Sequence, residues 1–340
     1  MKKIVVIGGG TGTFTVLSGL RDYPFELTAI VSTADDGGST GILRDELGVL
    51  PPGDIRQALV ALSPDSTALR DLFNYRFEEG SLKGHNFGNL FLSALEKVTG
   101  SFDSAVLEAG RILAIKGNVI PVTTDTVNLK AEMVDGTQIK GEHNIEDYIW
   151  SERSHIEKIW LEPDCTVHPL AVLALKQADL IVIAPGSVFT SLIPNLLVGG
   201  MKEALLKAKA PLVYVANLMT EKGHTGSFFV QDFAALIQEY LGERKLDYVL
   251  YNTRMPDELL LERYKKEMER IPVRLDPKRA KGLPYTRIGT NLLGKRPTGA
   301  RVASDSLAAT RTLIRHDSHK VADVLYAIMV HKLTKKYLNF

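Results

Sequence analysis

A short β-branched run that ends in clustered glycines, Lys3-Ile4-Val5-Val6-Ile7-Gly8-Gly9-Gly10-Thr11-Gly12-Thr13, constrains this chain more than any other segment. The apolar run reads as a strand, the glycines as a tight turn, and the residues from Thr13 onward as the start of a helix. Glycine lets the backbone turn sharply and brings amide N–H groups close to a ligand. A helix that begins there adds unpaired N–H groups and a partial positive charge, which favour phosphate. Gly9, Gly10, Thr11, Gly12 and Thr13 are therefore candidate phosphate-binding residues, the two threonines adding hydroxyls. The fit to the dinucleotide fingerprint is incomplete, because the third glycine position falls on Thr13 or Thr15, and the lysine of a P-loop is missing. The plainer alternative is a tight strand-to-helix connection without a ligand.

The same alternation recurs along the chain. Ile4–Ile7, Leu27–Val31, Leu180–Ala184, Leu212–Ala216 and Tyr248–Tyr251 are nearly continuous apolar runs, as expected of strands covered on both faces of a parallel sheet. This predicts an α/β, Rossmann-like three-layer fold with a mostly parallel sheet and with helical and β-hairpin insertions, one domain over residues 1–340. Ile55–Leu62, Leu69–Tyr75, Gly88–Val98 and Ser104–Leu113 carry helical apolar spacing. Around residues 118–161 the period changes to two, and Leu129–Val134, Asp135-Gly136 and Thr137–Gly141 read as a hairpin, so this stretch is a β insertion or sheet extension. In the tail (278–340), Lys278–Arg301 reads as a basic, turn-prone segment free to move. An amphipathic helix follows, from about Ser318 to Tyr337, with Val321, Val324, Leu325, Ile328 and Leu333 along one face.

Further candidates sit where strands end. Leu27–Val31 runs into Ala34-Asp35-Asp36-Gly37-Gly38-Ser39-Thr40-Gly41, a pair of acids beside a second glycine cluster. Asp35 and Asp36 are candidate ligands for Mg²⁺ shared with phosphate, since hard oxygen donors suit that ion; Gly37, Gly38 and Ser39 are candidate phosphate contacts. The bland alternative is a solvated Asp-Gly turn. In Gly53-Asp54-Ile55-Arg56, Asp54 reads as an N-cap. Arg56 in the first helical turn opposes the helix dipole, so it faces an anion or forms a surface ion pair. Asn86 and Asn89, one turn apart, read a base or sugar edge, or Asn86 is simply a cap. Gly186, Ser187 and Thr190 follow the third strand and Asn217 the fourth, at the carboxyl ends where open α/β sheets bind ligands. Arg315, before the last helix, is a candidate phosphate or sugar partner. His85, His168 and His224 are unanchored, and no metal-type spacing or nucleophilic triad is present.

Composition narrows the class. The 340 residues carry a net charge of +1, which supplies no global field for nucleic acid or an anionic membrane. One cysteine, Cys165, excludes an intramolecular disulfide and fits a reducing compartment. The first apolar run is too short for a signal-peptide core, and no later stretch reaches spanning length. A cytoplasmic protein with a nucleotide-containing small molecule as its partner is expected, with no nucleic acid and no membrane span.

Gly8–Gly12, Ala34–Gly41, Gly53–Arg56, Ala184–Ser187, Asn217–Thr220 and Arg315–Asp317, in this order, make the chain similar to the YvcK-type gluconeogenesis factors of the CofD-like superfamily. The resemblance runs from residue 3 to about residue 330. It implies a bacterial cytoplasmic protein needed for cell shape and peptidoglycan synthesis on gluconeogenic carbon sources. A UDP-sugar or NAD is implied as bound ligand, and a homo-oligomer and regulators of cell-wall synthesis are the partners expected. The enzyme branch, 2-phospho-L-lactate transferase, uses Mg²⁺; Ala34-Asp35-Asp36 and Pro185-Gly186-Ser187 depart from its motifs. A regulator without turnover is the first expectation, an Mg²⁺-dependent transferase the second and an NAD-binding oxidoreductase the third.

Overall fold

The computed structural model describes residues 1–64, 68–152, 155–223, 225–294 and 314–331. Its centre is a seven-stranded sheet in which every neighbouring pair is parallel. The strands are β1 (Lys2–Gly8), β2 (Phe25–Val31), β3 (Asn118–Pro121), β7 (Leu180–Ile183), β8 (Leu212–Val215), β9 (Tyr248–Asn252) and β10 (Thr286–Thr290), in the order β10-β9-β8-β7-β1-β2-β3. The chain winds outward from β1 in one direction and then in the other. The reversal lies between β1 and β7, the position at which doubly wound sheets open a crevice.

Alternation along the strands builds two cores. Ile4, Val6, Leu180 and Val182 face α1 (Gly10–Leu20), α3 (Gly53–Leu62), α5 (Phe87–Thr99), α6 (Phe102–Ile112) and α13 (Ser318–Met329). Val5, Ile7, Ile181 and Ile183 face the other layer, with α8 (Pro169–Gln177), α9 (Ile193–Leu197), α10 (Met201–Lys207) and α11 (Val230–Leu241). Each buried Ile or Val contributes roughly 1.5–3 kcal/mol, so covering both faces explains runs that carry almost no polar residue.

The stretch at 118–161 divides in two. Asn118–Pro121 joins the main sheet as its outer strand. β4 (Asn128–Met133), β5 (Gln138–Lys140) and β6 (Ile156–Glu162) form a separate antiparallel sheet, turned at Gly136 with φ +84°. Between β5 and β6 runs a helix that period-two reading misses, α7 (Glu142–Glu152), anchored by buried Ile145 and Ile149.

α2 (Gly38–Leu47) follows β2, α4 (Ala68–Asn74) precedes α5, and α12 (Glu258–Met268) follows β9. The tail departs from expectation at one point. Thr286–Thr290, read as part of a basic turn segment, is a strand paired with β9. Ile288 is fully buried, but a single apolar residue among Thr, Arg and Gly leaves no periodic signal. Residues 295–301 of that segment, Leu333 and the expected end of the last helix at Tyr337 lie outside the described residues, as does His224. No helix among the described residues is long and apolar enough to cross a membrane.

Candidate functional site

The carboxyl ends of β1, β2, β7 and β8 surround a cleft of about 470 Å³. Gly9, Gly10, Thr11 and Gly12 form one wall, Gly186, Ser187 and Asn217 the next, and Asp35 a third. Gly10, at φ +63°, is the first residue of α1 and follows Gly9 as N-cap. The close fit is specific. A Cβ at Gly12 would lie 1.6 Å from the Pro185 carbonyl oxygen, and one at Gly9 would lie 2.2 Å from an Asp54 carboxylate oxygen. The turn therefore brings α1, the β7 loop and α3 into contact through bare backbone.

Asp54 is not the N-cap of α3; that position is Pro52. Its carboxylate accepts the Gly10 amide and reaches into the cleft. Burial, with the charge of Asp35 beside it, pushes Asp54 up to about 7. Asp35 is also raised, chiefly by burial, although it accepts hydrogen bonds from the Gly37 amide at 2.9 Å and from the Thr40 hydroxyl. Glu142, the first residue of α7, completes this wall, and burial followed by repulsion from Asp35 and Asp54 holds it well above the carboxylate range. Three crowded carboxyl groups beside the glycine turn, one of them bonded to it, suit an ion or a proton between them and an anionic ligand. Among the described residues no three His, Cys, Asp or Glu side chains converge as a metal cage. Mg²⁺ shared with phosphate needs only one or two carboxylates, and Asp35 with Asp54 supplies that donor set.

Other candidates stand behind the cleft. Thr13 is buried and donates its hydroxyl to the Gly9 carbonyl at 3.0 Å. Asp36 turns to the insertion, where it accepts the His143 amide at 3.0 Å and lies 3.9 Å from Arg44. Gly37 caps α2, and Gly38 begins it at φ +46°. Ser39 meets His85 Nδ1 at 3.2 Å and accepts the Asn86 amide. Asn86 caps α5, accepting the Asn89 amide. Buried Arg56 donates to Asn89 Oδ1 at 3.0 Å, to Asn74 and to the Phe73 carbonyl, while Asn89 donates to Thr40 Oγ1. This network holds Thr40, and through it Asp35, rather than opening onto the cleft. Thr190 donates to Glu146 at 2.7 Å. His168 is bonded to Asp103 and to the Leu170 amide, as the cap of α8.

Asn217 is also committed: it donates to the Gly186 carbonyl at 2.7 Å and accepts from the Tyr214 hydroxyl. Ser187 donates to Glu221 at 3.1 Å. Arg315 is exposed at the rim. The far end adds Leu218, Met219 and His316, which lie in the Asn217–Thr220 and Arg315–Asp317 motifs but were not candidates themselves, together with Glu221, Arg270 and Ile314, which lie in no motif. His316 Nε2 donates to the Ala216 carbonyl at 3.1 Å, and burial pushes the imidazole down to about 4, so it is neutral. Glu221 and Arg270, ordinary in type and 49 positions apart, give a single sequence no pattern to reveal.

The family model of 2-phospho-L-lactate transferase CofD matches residues 4–293. The gluconeogenesis factor of Bacillus subtilis is 39% identical over 333 residues, covering 96% of this chain and 98% of the other. That of Listeria monocytogenes is 39% identical over 337 residues, covering 98% of both. A solved member of the UPF0052 family from Bacillus halodurans superposes with a TM-score of 0.86 at 36% identity, covering 95% of this chain and 99% of that one.

Proposed function

The chain belongs to the CofD family and, within it, to the gluconeogenesis factors, and on that premise we propose that it is a cytoplasmic regulator that binds a nucleotide diphosphate ligand, a UDP-sugar or NAD. In this reading the ligand reports metabolic state to cell-shape and peptidoglycan synthesis during growth on gluconeogenic carbon. One observation carries it: a glycine turn at a helix N-terminus, with Asp54 bonded to its Gly10 amide and Asp35 beside it, lines a cleft at the crossover of a parallel sheet. The N–H groups of the turn other than that of Gly10, which is given to Asp54, would hold a phosphate. Asp35 and Asp54 would hold Mg²⁺, which would supply positive charge to offset the ligand's phosphate. Arg56, Asn89 and Thr40 keep Asp35 in place from behind.

Titration calorimetry against UDP-N-acetylglucosamine and NAD, with and without Mg²⁺, tests this. Binding of one of them, tightened by Mg²⁺ and weakened at least about tenfold in Asp35→Asn, is expected from the loss of a charged contact. No binding of either at millimolar ligand would overturn it. A second reading, a phosphate-group transferase, is favoured by Glu142, a third buried carboxyl at the same wall. It requires turnover that disappears in Asp35→Asn, measured by product formation rather than binding.

A further inference from the structure

Arg270 lines the far end of the cleft, and its Nε is buried without a hydrogen-bond partner. Among the described residues no carboxylate forms an ion pair with it. Glu221, whose charge acts on it, turns its carboxylate to the Ser187 hydroxyl, and burial raises that carboxyl group. The contrast with Arg56 is instructive: that guanidinium is bonded to Asn89, Asn74 and a backbone carbonyl. Arg270 is moreover rigidly placed. It follows Glu269, which ends α12 at φ +51°, and donates its amide to the Tyr264 carbonyl at 3.2 Å. Next to it, Ile271 exchanges hydrogen bonds with fully buried Thr220, at 3.0 Å to the hydroxyl and 2.8 Å from the amide. A buried guanidinium nitrogen without a hydrogen-bond partner is costly, and the planar fork matches an anionic oxygen group.

We propose that Arg270 is a second anion site of this cleft, binding a phosphate or carboxylate of the ligand other than the phosphate on the Gly9–Gly12 turn. The inference rests on the ligand reading above and adds to it that the ligand carries two separately recognised anionic groups. Ser187 and Asn217, already bonded within the protein, leave the ligand's far anion to Arg270.

Affinities of wild type, Arg270→Gln and Arg270→Lys are to be measured by calorimetry for uridine, UMP, UDP, UDP-glucose, UDP-glucuronate and inorganic pyrophosphate. Thermal melting confirms folding of each variant. In the wild type, the added group that meets Arg270 raises affinity at least about tenfold, as a charge-assisted contact does. The gain from UMP to UDP identifies a phosphate, and the gain from UDP-glucose to UDP-glucuronate a carboxylate. In Arg270→Gln that gain disappears while uridine binds unchanged; Arg270→Lys, which keeps charge but not the fork, retains part of it and decides the matter if the Gln variant does not fold. Equal weakening of every ligand, uridine included, or no weakening at all, overturns the proposal. Pyrophosphate binding that depends on Arg270 without any nucleotide binding would remove the nucleotide reading and leave this one standing. No binding of pyrophosphate or nucleotide by the wild type removes both.

Discussion

At Gly12 an added methyl group meets a backbone carbonyl, not a movable side chain, so α1 or the β7 loop has to shift. Gly12→Ala is expected to destabilise the fold by roughly 1–3 kcal/mol, the range for overpacking, and to abolish ligand binding. Gly38→Ala, with open space around its Cβ but φ +46°, is expected to cost about 1–2 kcal/mol through backbone strain alone. Urea denaturation with ligand titration of both variants separates the two effects, and a Gly12→Ala protein that binds normally would refute the close-packing account. The glycines were legible in the sequence because each answers to a backbone demand that no other residue meets. Asp54 was misread as a cap because Asp at a helix start has that ordinary use, whereas its partner, Gly10, is 44 positions away in the chain. Arg270 had no local signal at all.

The insertion illustrates what is and is not legible in whole elements. Asp135-Gly136 between alternating residues announces the hairpin, and β4 and β5 follow it. α7 was hidden because, among its described side chains, the buried apolar ones are Ile145 and Ile149 alone, set within a stretch otherwise of period two. This helix is fastened to the main sheet by polar contacts: His143 to Asp36 at 3.0 Å and Glu146 to Thr190 at 2.7 Å. Gly223 packs against Ile149 so closely that a Cβ would lie 2.3 Å from it. Asp36→Ala is therefore expected to speed amide hydrogen exchange in α7 about tenfold, corresponding to one charged hydrogen bond. Protection in β1 and β7 should stay unchanged. Uniform exchange across both sheets would mean that Asp36 supports the whole fold rather than this attachment.

Across the whole molecule, the strands were the most legible part, since burial on both faces writes an uninterrupted apolar run, while β10, at the edge, wrote none. The cleft carboxyl groups contribute a pH dependence to stability. Asp35, Asp54, Glu142 and Glu221 have folded pKa values raised above their unfolded ones. They favour the fold at low pH, and that contribution is lost as pH rises, for Asp54 up to about 7. His316, lowered to about 4, acts oppositely between its unfolded value near 6.5 and 4. Asp54→Asn is expected to raise stability at pH 8 by roughly 1–3 kcal/mol and less at pH 5, with Mg²⁺ reproducing part of the gain in wild type. Denaturation at both pH values checks this; an equal loss at each would contradict the charge account. The two outermost strands of the central sheet carry a different consequence. In β3 the register with β2 turns the backbone nitrogen of residue 121 outward, and that residue is proline, with no hydrogen to donate. In β10 the backbones of Arg287 and of buried Gly289 are turned outward. At the β3 border Pro121 therefore denies another chain's strand a clean template, and the sheet resists edge-to-edge extension on that side.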